Sequence, residues 1–121
     1  MAVLGIRAGG HLAAFTVPEY AQRAGITIIP VPVYHLEITE ILGEPVVRHV
    51  ADAPPPIDLV DVFRRSEDIP PHVDDIIAAK PRGVWFQLGI RNDAAAARLA
   101  RAGMLVVQDR CVHIELMRMG R

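Results

Sequence analysis

Cysteine is almost absent from this chain of 121 residues: Cys111 stands alone, which excludes an intrachain disulfide and a cysteine-rich zinc site. Aromatic residues make up only 5%, and neither sign of charge dominates, with 13 basic residues against 14 acidic and a formal net charge of -1. No apolar run approaches the roughly 20 residues that a bilayer requires. Without a basic excess there is no bulk signal for nucleic acid or an anionic membrane, so any cationic site must be local. No charged-then-apolar opening reads as a signal peptide, and a reducing cytoplasm is the expected compartment. Metal spacing such as HxxxH is missing among His11, His35, His49, His72 and His113, and no Ser/His/Asp set or pair of carboxylates is visible. No catalytic residue and no metal ligand is therefore named.

What the chain does have is aliphatic bulk. A hydrophobic content of 51% with so few aromatics points to Val, Ile, Leu and Ala packing, as in a sheet buried on both faces. The length suits one domain over residues 1–121. Met1–Ile6, Ile26–Val33, Ile57–Phe63, Val84–Leu88 and Met104–Gln108 read as five strands, the second ending near Pro30 because proline cannot serve a central ladder. Thr16-Val17-Pro18-Glu19 spells a capping box, which predicts a helix from about Val17 to the stop at Gly25. Leu36–Leu42 reads as a short helix and Gly43–Val50 as an extended stretch. A helix after Pro70-Pro71, another after the N-cap Asn92, and a last one over Val112–Met119 complete the pattern. Strands separated by helical segments demand right-handed crossovers and an α/β, doubly wound, five-stranded parallel sheet.

Such a sheet binds ligands where its strands end. Every expected strand but the second is followed by arginine: Arg7, Arg64 with Arg65, Arg91, and Arg110. Guanidinium groups in that position suit an anionic ligand carrying phosphates, although solvated or ion-paired arginines would leave the same pattern. Gly5-Ile6-Arg7-Ala8-Gly9-Gly10 offers exposed amides near a helix start, yet it is neither GxGxxG in register nor GxxxxGK[ST]; Gly9 and Gly10 read equally as a flexible turn. Pro30-Val31-Pro32 stands where a dinucleotide site needs an acidic residue, which argues against NAD. Cys111 follows Arg110, a placement that can activate a thiol, while a buried inert cysteine is the commoner outcome.

Ala2-Val3-Leu4-Gly5, Ile29-Pro30-Val31, Glu40-Ile41-Leu42-Gly43-Glu44, Val60-Asp61-Val62-Phe63-Arg64-Arg65, Val84-Trp85-Phe86-Gln87-Leu88-Gly89 and Gln108-Asp109-Arg110-Cys111, in that order, resemble the small single-domain CoA-binding proteins. These are similar to the CoA-binding domain of the succinyl-CoA synthetase alpha subunit. The resemblance spans nearly the whole chain and implies a Rossmann-like sheet holding coenzyme A at its carboxyl edge. It sets Gly5, Arg7, Gly9, Gly10 and Thr16 near phosphates, with Val31, Phe63, Arg64, Arg65 and Gly89 at the neighbouring strand ends. The family commonly has a Ser-Arg-Pro-like segment where this chain has His11-Leu12-Ala13, and Asn-Pro after strand two where it has Pro32-Val33.

The expected function is non-catalytic binding of coenzyme A or an acyl-CoA, because the synthetase reaction needs a second domain for which this chain has no room. The expected partner is that small molecule, with no nucleic acid and no membrane; a homodimer or another protein partner is left open. The alternative is a degenerate domain without ligand that serves protein interaction or regulation, in which Leu12, Phe15 or Tyr34 would fill the strand-end crevice.

Overall fold

The computed structural model describes residues 1–121. In chain order the elements are strand β1 (Ala2–Leu4), helix α1 (Ala13–Arg23), strands β2 (Ile29–Val31), β3 (Glu40–Ile41), β4 (Glu44–Pro45) and β5 (Leu59–Val62), helix α2 (Val73–Ala79), strand β6 (Gly83–Phe86), helix α3 (Asp93–Arg101), strand β7 (Leu105–Val107) and helix α4 (Val112–Arg118). Five of the strands form one sheet in the order β2-β1-β5-β6-β7, with every pair parallel. The winding reverses between β1 and β5, and there the ends of two adjacent strands diverge into loops that leave a crevice. β2 lies at an edge, where the proline at position 30 costs no ladder bond on its open side.

Side chains alternate across each strand, so the sheet divides the core in two. Ala2, Leu4, Val60, Val62, Val84 and Phe86 point toward α2 and α3 and join Val73, Ile76, Ala95 and Leu99 in a cluster of 16 buried residues. Val3 points the other way, toward Val17 and Ala21 of α1 and Val112 and Leu116 of α4, in a cluster of 8. Each fully buried aliphatic or aromatic side chain contributes about 1.5–3 kcal/mol. Asp61 is the exception in this interior. It sits between Val3 and Trp85 in the strand register, is fully buried, and neither carboxylate oxygen has a hydrogen-bond partner. Burial alone pushes its pKa well above the ordinary 3.8.

α1 begins at Ala13 rather than Val17. Leu12, in an extended conformation, takes the N-cap position without any side-chain bond, and Thr16 lies inside the first turn. Pro18 is therefore an interior proline, which should orphan the carbonyl of Ala14 four residues earlier. The backbone N–H of Arg7 donates to that carbonyl at 3.0 Å. The β1–α1 loop thus supplies the hydrogen that the helix lacks, and the helix runs one turn further back than its capping box suggests.

Leu36–Leu42 is not a helix. Its end forms β3, which pairs with β4 across Leu42-Gly43, and both turn residues have positive φ (55° and 77°). That is the backbone of a two-residue hairpin loop whose twist matches the flanking strands. The extended stretch expected over Gly43–Val50 is reduced to β4 and an irregular path to a single 3-10 turn at Val50–Asp52. Asp75 of α2 accepts from the backbone N–H of Val50 (2.7 Å) and of Ala51 (3.1 Å), pinning this turn to the α2 side of the sheet. Asn92 does cap α3, its side chain accepting from the Ala95 N–H at 3.0 Å. α4 buries Val112 and Leu116 but leaves Met119 in solvent.

Candidate functional site at the carboxyl edge

At the reversal point β1 ends in Gly5 and β5 runs into Phe63. Gly5 has φ +88°, and a β-carbon there would lie 2.3 Å from the carbonyl oxygen of Phe63, so no larger residue fits. The Gly5 N–H donates to Val31 O and the Phe63 N–H to Leu4 O, both at 2.8 Å, which locks the three strand ends together. Beyond them opens a crevice of about 670 Å³, within the size range of small-molecule sites.

One end of this crevice is cationic. The guanidinium of Arg7 stacks 4.2 Å from the ring centroid of Tyr34, and that of Arg64 lies 5.7 Å from the same ring. Arg64 also donates to the Tyr34 hydroxyl (3.2 Å) and, through Nε, to Nε2 of His72 (3.2 Å). Neither arginine pairs with a carboxylate, whereas the other strand-end arginines do. Arg65 bonds Asp68 at 3.1 Å with Glu67 at 3.7 Å, Arg91 bonds Asp93 at 3.1 Å, and Arg110 lies 3.8 Å from Glu115. The hydrogen bond to Asp68 chiefly raises the Arg65 pKa, while burial, and then the charge of Arg64, lower that of half-buried His72. A neutral His72 accepts from Arg64 and holds its fork toward the crevice.

The remaining wall comes from Leu12 and Ala14 of the α1 start, from Phe63, and from the end of β6, where Gln87, Leu88 and Gly89 follow the strand. Gly89 turns with φ +82° and its N–H donates to Asp109 Oδ1 at 2.6 Å. Of the residues expected to contact ligand, Gly5, Arg7, Phe63, Arg64, Arg65 and Gly89 line the crevice. Gly9 and Gly10 lie outside its lining and are exposed, with nothing near enough to meet an added β-carbon. Thr16 is outside as well, because α1 starts a turn earlier than its capping box suggests. Val31 is buried in β2 and only its carbonyl serves the site, by holding Gly5. Sequence reading gave no ligand role to Tyr34, His72 or Gln87. Position just past strand two was the available signal for Tyr34, and position just past the Val84–Phe86 run for Gln87; His72 is placed by tertiary packing and had none.

The model for a CoA binding domain matches residues 1–117. The chain belongs to this CoA-binding domain family. A relative in Bacillus subtilis (strain 168), YneT, is 32% identical over 114 residues, spanning 94% of this chain and 82% of its own. A solved structure from Thermus thermophilus matches with a TM-score of 0.92 at 35% identity, covering 98% of this chain and 87% of that one. A protein from Pyrococcus horikoshii matches with a TM-score of 0.89 at 28% identity, over 99% and 82%. The Rossmann-like, single-domain α/β architecture is shared with these neighbours. No helix is long and apolar enough to cross a membrane.

The donor set can be tested against the family's ligand. Coenzyme A carries phosphates on a nucleotide and a long uncharged arm that ends in a thiol. A crevice with two carboxylate-free guanidinium groups at one end and an apolar wall of Leu12, Phe63 and Leu88 beyond them fits both parts. Arg7 and Arg64 would hold phosphate oxygens, Tyr34 would keep the two forks in place, and Gly5 would let the backbone come close.

Proposed function

We propose that this chain binds coenzyme A or an acyl-CoA in the crevice between β1 and β5, and that it binds without catalysing a reaction. The observation that carries the reading is the pair Arg7 and Arg64, both on the Tyr34 ring and both without a carboxylate partner. Like charges gathered on one ring repel, and an anion between them relieves that repulsion. The crevice also favours a binder over a domain that has closed its site. Leu12 and Tyr34 line it without filling it, both remaining exposed, Phe15 stays out of the lining, and the volume remains open. Succinyl-CoA synthetase-like chemistry is not part of the proposal, since no histidine lines the crevice to carry a phosphoryl group.

The test is calorimetric titration of the reduced chain with CoA, acetyl-CoA, ATP and NAD. Saturable heat with a CoA species, stronger than with ATP or NAD, is expected. Absence of heat with every CoA species at millimolar ligand would sink the reading and favour an interaction module.

A further inference from the structure

Away from its cationic end the crevice holds a thiol with an amide beside it. Cys111, the only cysteine of the chain, lines the crevice at the junction of β7 and α4 and is half-buried, packed in the same apolar cluster as Phe63 and Trp85. Gln87 lines it too and is only 3% exposed. Its Oε1 accepts from the Val112 N–H at 3.1 Å, the backbone amide adjoining Cys111. A backbone N–H can meet only the oxygen of a carboxamide, so this bond fixes which way the amide faces. Nε2 is turned from Val112, makes no hydrogen bond within the protein and is not among the atoms sealed from solvent, so its donors face the open crevice. Those donors are placed to meet an acceptor on a ligand in the crevice. No group of three metal-ligating side chains surrounds the thiol, so its neighbourhood is not that of a metal ligand.

The geometry points to Cys111 as the residue that meets the thiol end of the ligand and exchanges with a CoA disulfide, leaving one CoA joined to the chain as a mixed disulfide. This inference rests on the reading of the crevice as a CoA site. The Cys111 thiolate attacks one sulfur of the CoA disulfide; the new bond to Sγ forms as the old sulfur–sulfur bond breaks. The departing CoA thiolate takes up the proton that Cys111 gave up, so the exchange needs no further oxidant. The Gln87 amide donates to a carbonyl oxygen of the arm, and the arginines tether the phosphates. Tethering makes the attack effectively intramolecular, which separates CoA disulfide from other small disulfides. No second cysteine exists in the chain to resolve the adduct, so it persists until an outside thiol arrives.

The reduced full-length chain is mixed with CoA disulfide or with glutathione disulfide at equal concentration, and adducts are followed by intact-mass spectrometry. One CoA per chain is expected, reversed by dithiothreitol, absent in Cys111→Ser, and formed at least tenfold faster than the glutathione adduct. Arg64→Ala should bring the two rates within about threefold. Calorimetry of the wild-type chain with reduced CoA, under a phosphine reductant, runs in parallel. If CoA binds but the two disulfides react at equal rates, or if Arg64→Ala leaves the ratio unchanged, the role of Cys111 is overturned and the CoA reading stands. If CoA does not bind and the rates are equal, both fall together.

Discussion

Arg64 donates its Nε proton to Nε2 of His72 at 3.2 Å, a bond that exists only while the imidazole is neutral. Burial keeps it so, the charge of Arg64 adds to that, and Asp75 and Asp68 pull weakly the other way. The site's charge geometry therefore depends on a histidine that sequence reading left among the unassigned ones.

Acidification should loosen this corner. The folded state holds His72 below its ordinary 6.5, so the unfolded chain binds the proton first and stability falls as pH drops from 6.5 through the lowered folded-state value. His72→Gln keeps an acceptor for Arg64 and does not titrate. Denaturant unfolding at pH 7.5, 6.5 and 5.5 should show the wild-type chain losing more stability than the variant over that interval. Parallel losses in the two proteins would contradict the assignment.

Arg7→Ala and Arg64→Ala should each weaken CoA binding by about 10- to 100-fold, the worth of a charge-assisted hydrogen bond at roughly 1.5–3 kcal/mol. Arg91→Ala, whose guanidinium already pairs with Asp93 away from the crevice, should leave affinity within about twofold. Calorimetric dissociation constants for the three variants decide the point. Equal losses in all three would mean that only net charge matters.

Gly5→Ala should destabilise the fold even without ligand. The positive φ alone costs about 1–2 kcal/mol for a residue with a β-carbon, and the Phe63 carbonyl must also move out of the way. Gly10→Ala shares the positive φ but meets nothing within 4 Å, so it should cost less. Thermal unfolding of the two variants side by side measures the part due to the close approach between β1 and β5.

Asp61→Val should raise stability at neutral pH by about 1–3 kcal/mol, the usual cost of a buried polar group without a partner. The raised folded-state pKa gives a second signature. The carboxyl favours the folded state fully below 3.8, and that contribution is lost as pH rises through the folded value. The stability gap between Asp61→Val and the wild type should therefore widen from acid toward neutral pH in urea titrations. A variant less stable than wild type at pH 7 would show that the carboxyl makes a contact worth keeping.

The strands of the large sheet were readable because a doubly covered strand leaves an uninterrupted apolar run, and Asn92 was readable because a short polar side chain before a periodic segment has one obvious job. Leu12 gave no such sign: it caps α1 by backbone conformation alone, and the better-looking Thr16 drew the start of the helix inward. Leu42 misled in another way, since a β-carbon seldom accepts positive φ and the segment before it carries helical spacing. In the crevice, Gly5, Phe63 and Arg64 follow directly from strand ends and could be named. His72 reaches the site through folding of a distant segment, which no local pattern records, whereas Tyr34 and Gln87 also stand just past strand ends and went unnamed. Arg65, Arg91 and Arg110 looked like its equals until their acidic neighbours were seen to claim them.

Pro18 never meets the crevice, yet it governs how Arg7 is presented. Because the proline ring has no hydrogen to give, a carbonyl of α1 is left vacant and the Arg7 backbone moors there. The helix and the loop compete for a single acceptor, and an imino acid awards it to the loop. Alanine at position 18 would let the helix reclaim it and set the charged loop adrift. Swapping a proline for a better helix former should thus tighten α1 and blunt recognition in one stroke, making this defect in the helix a condition of the site.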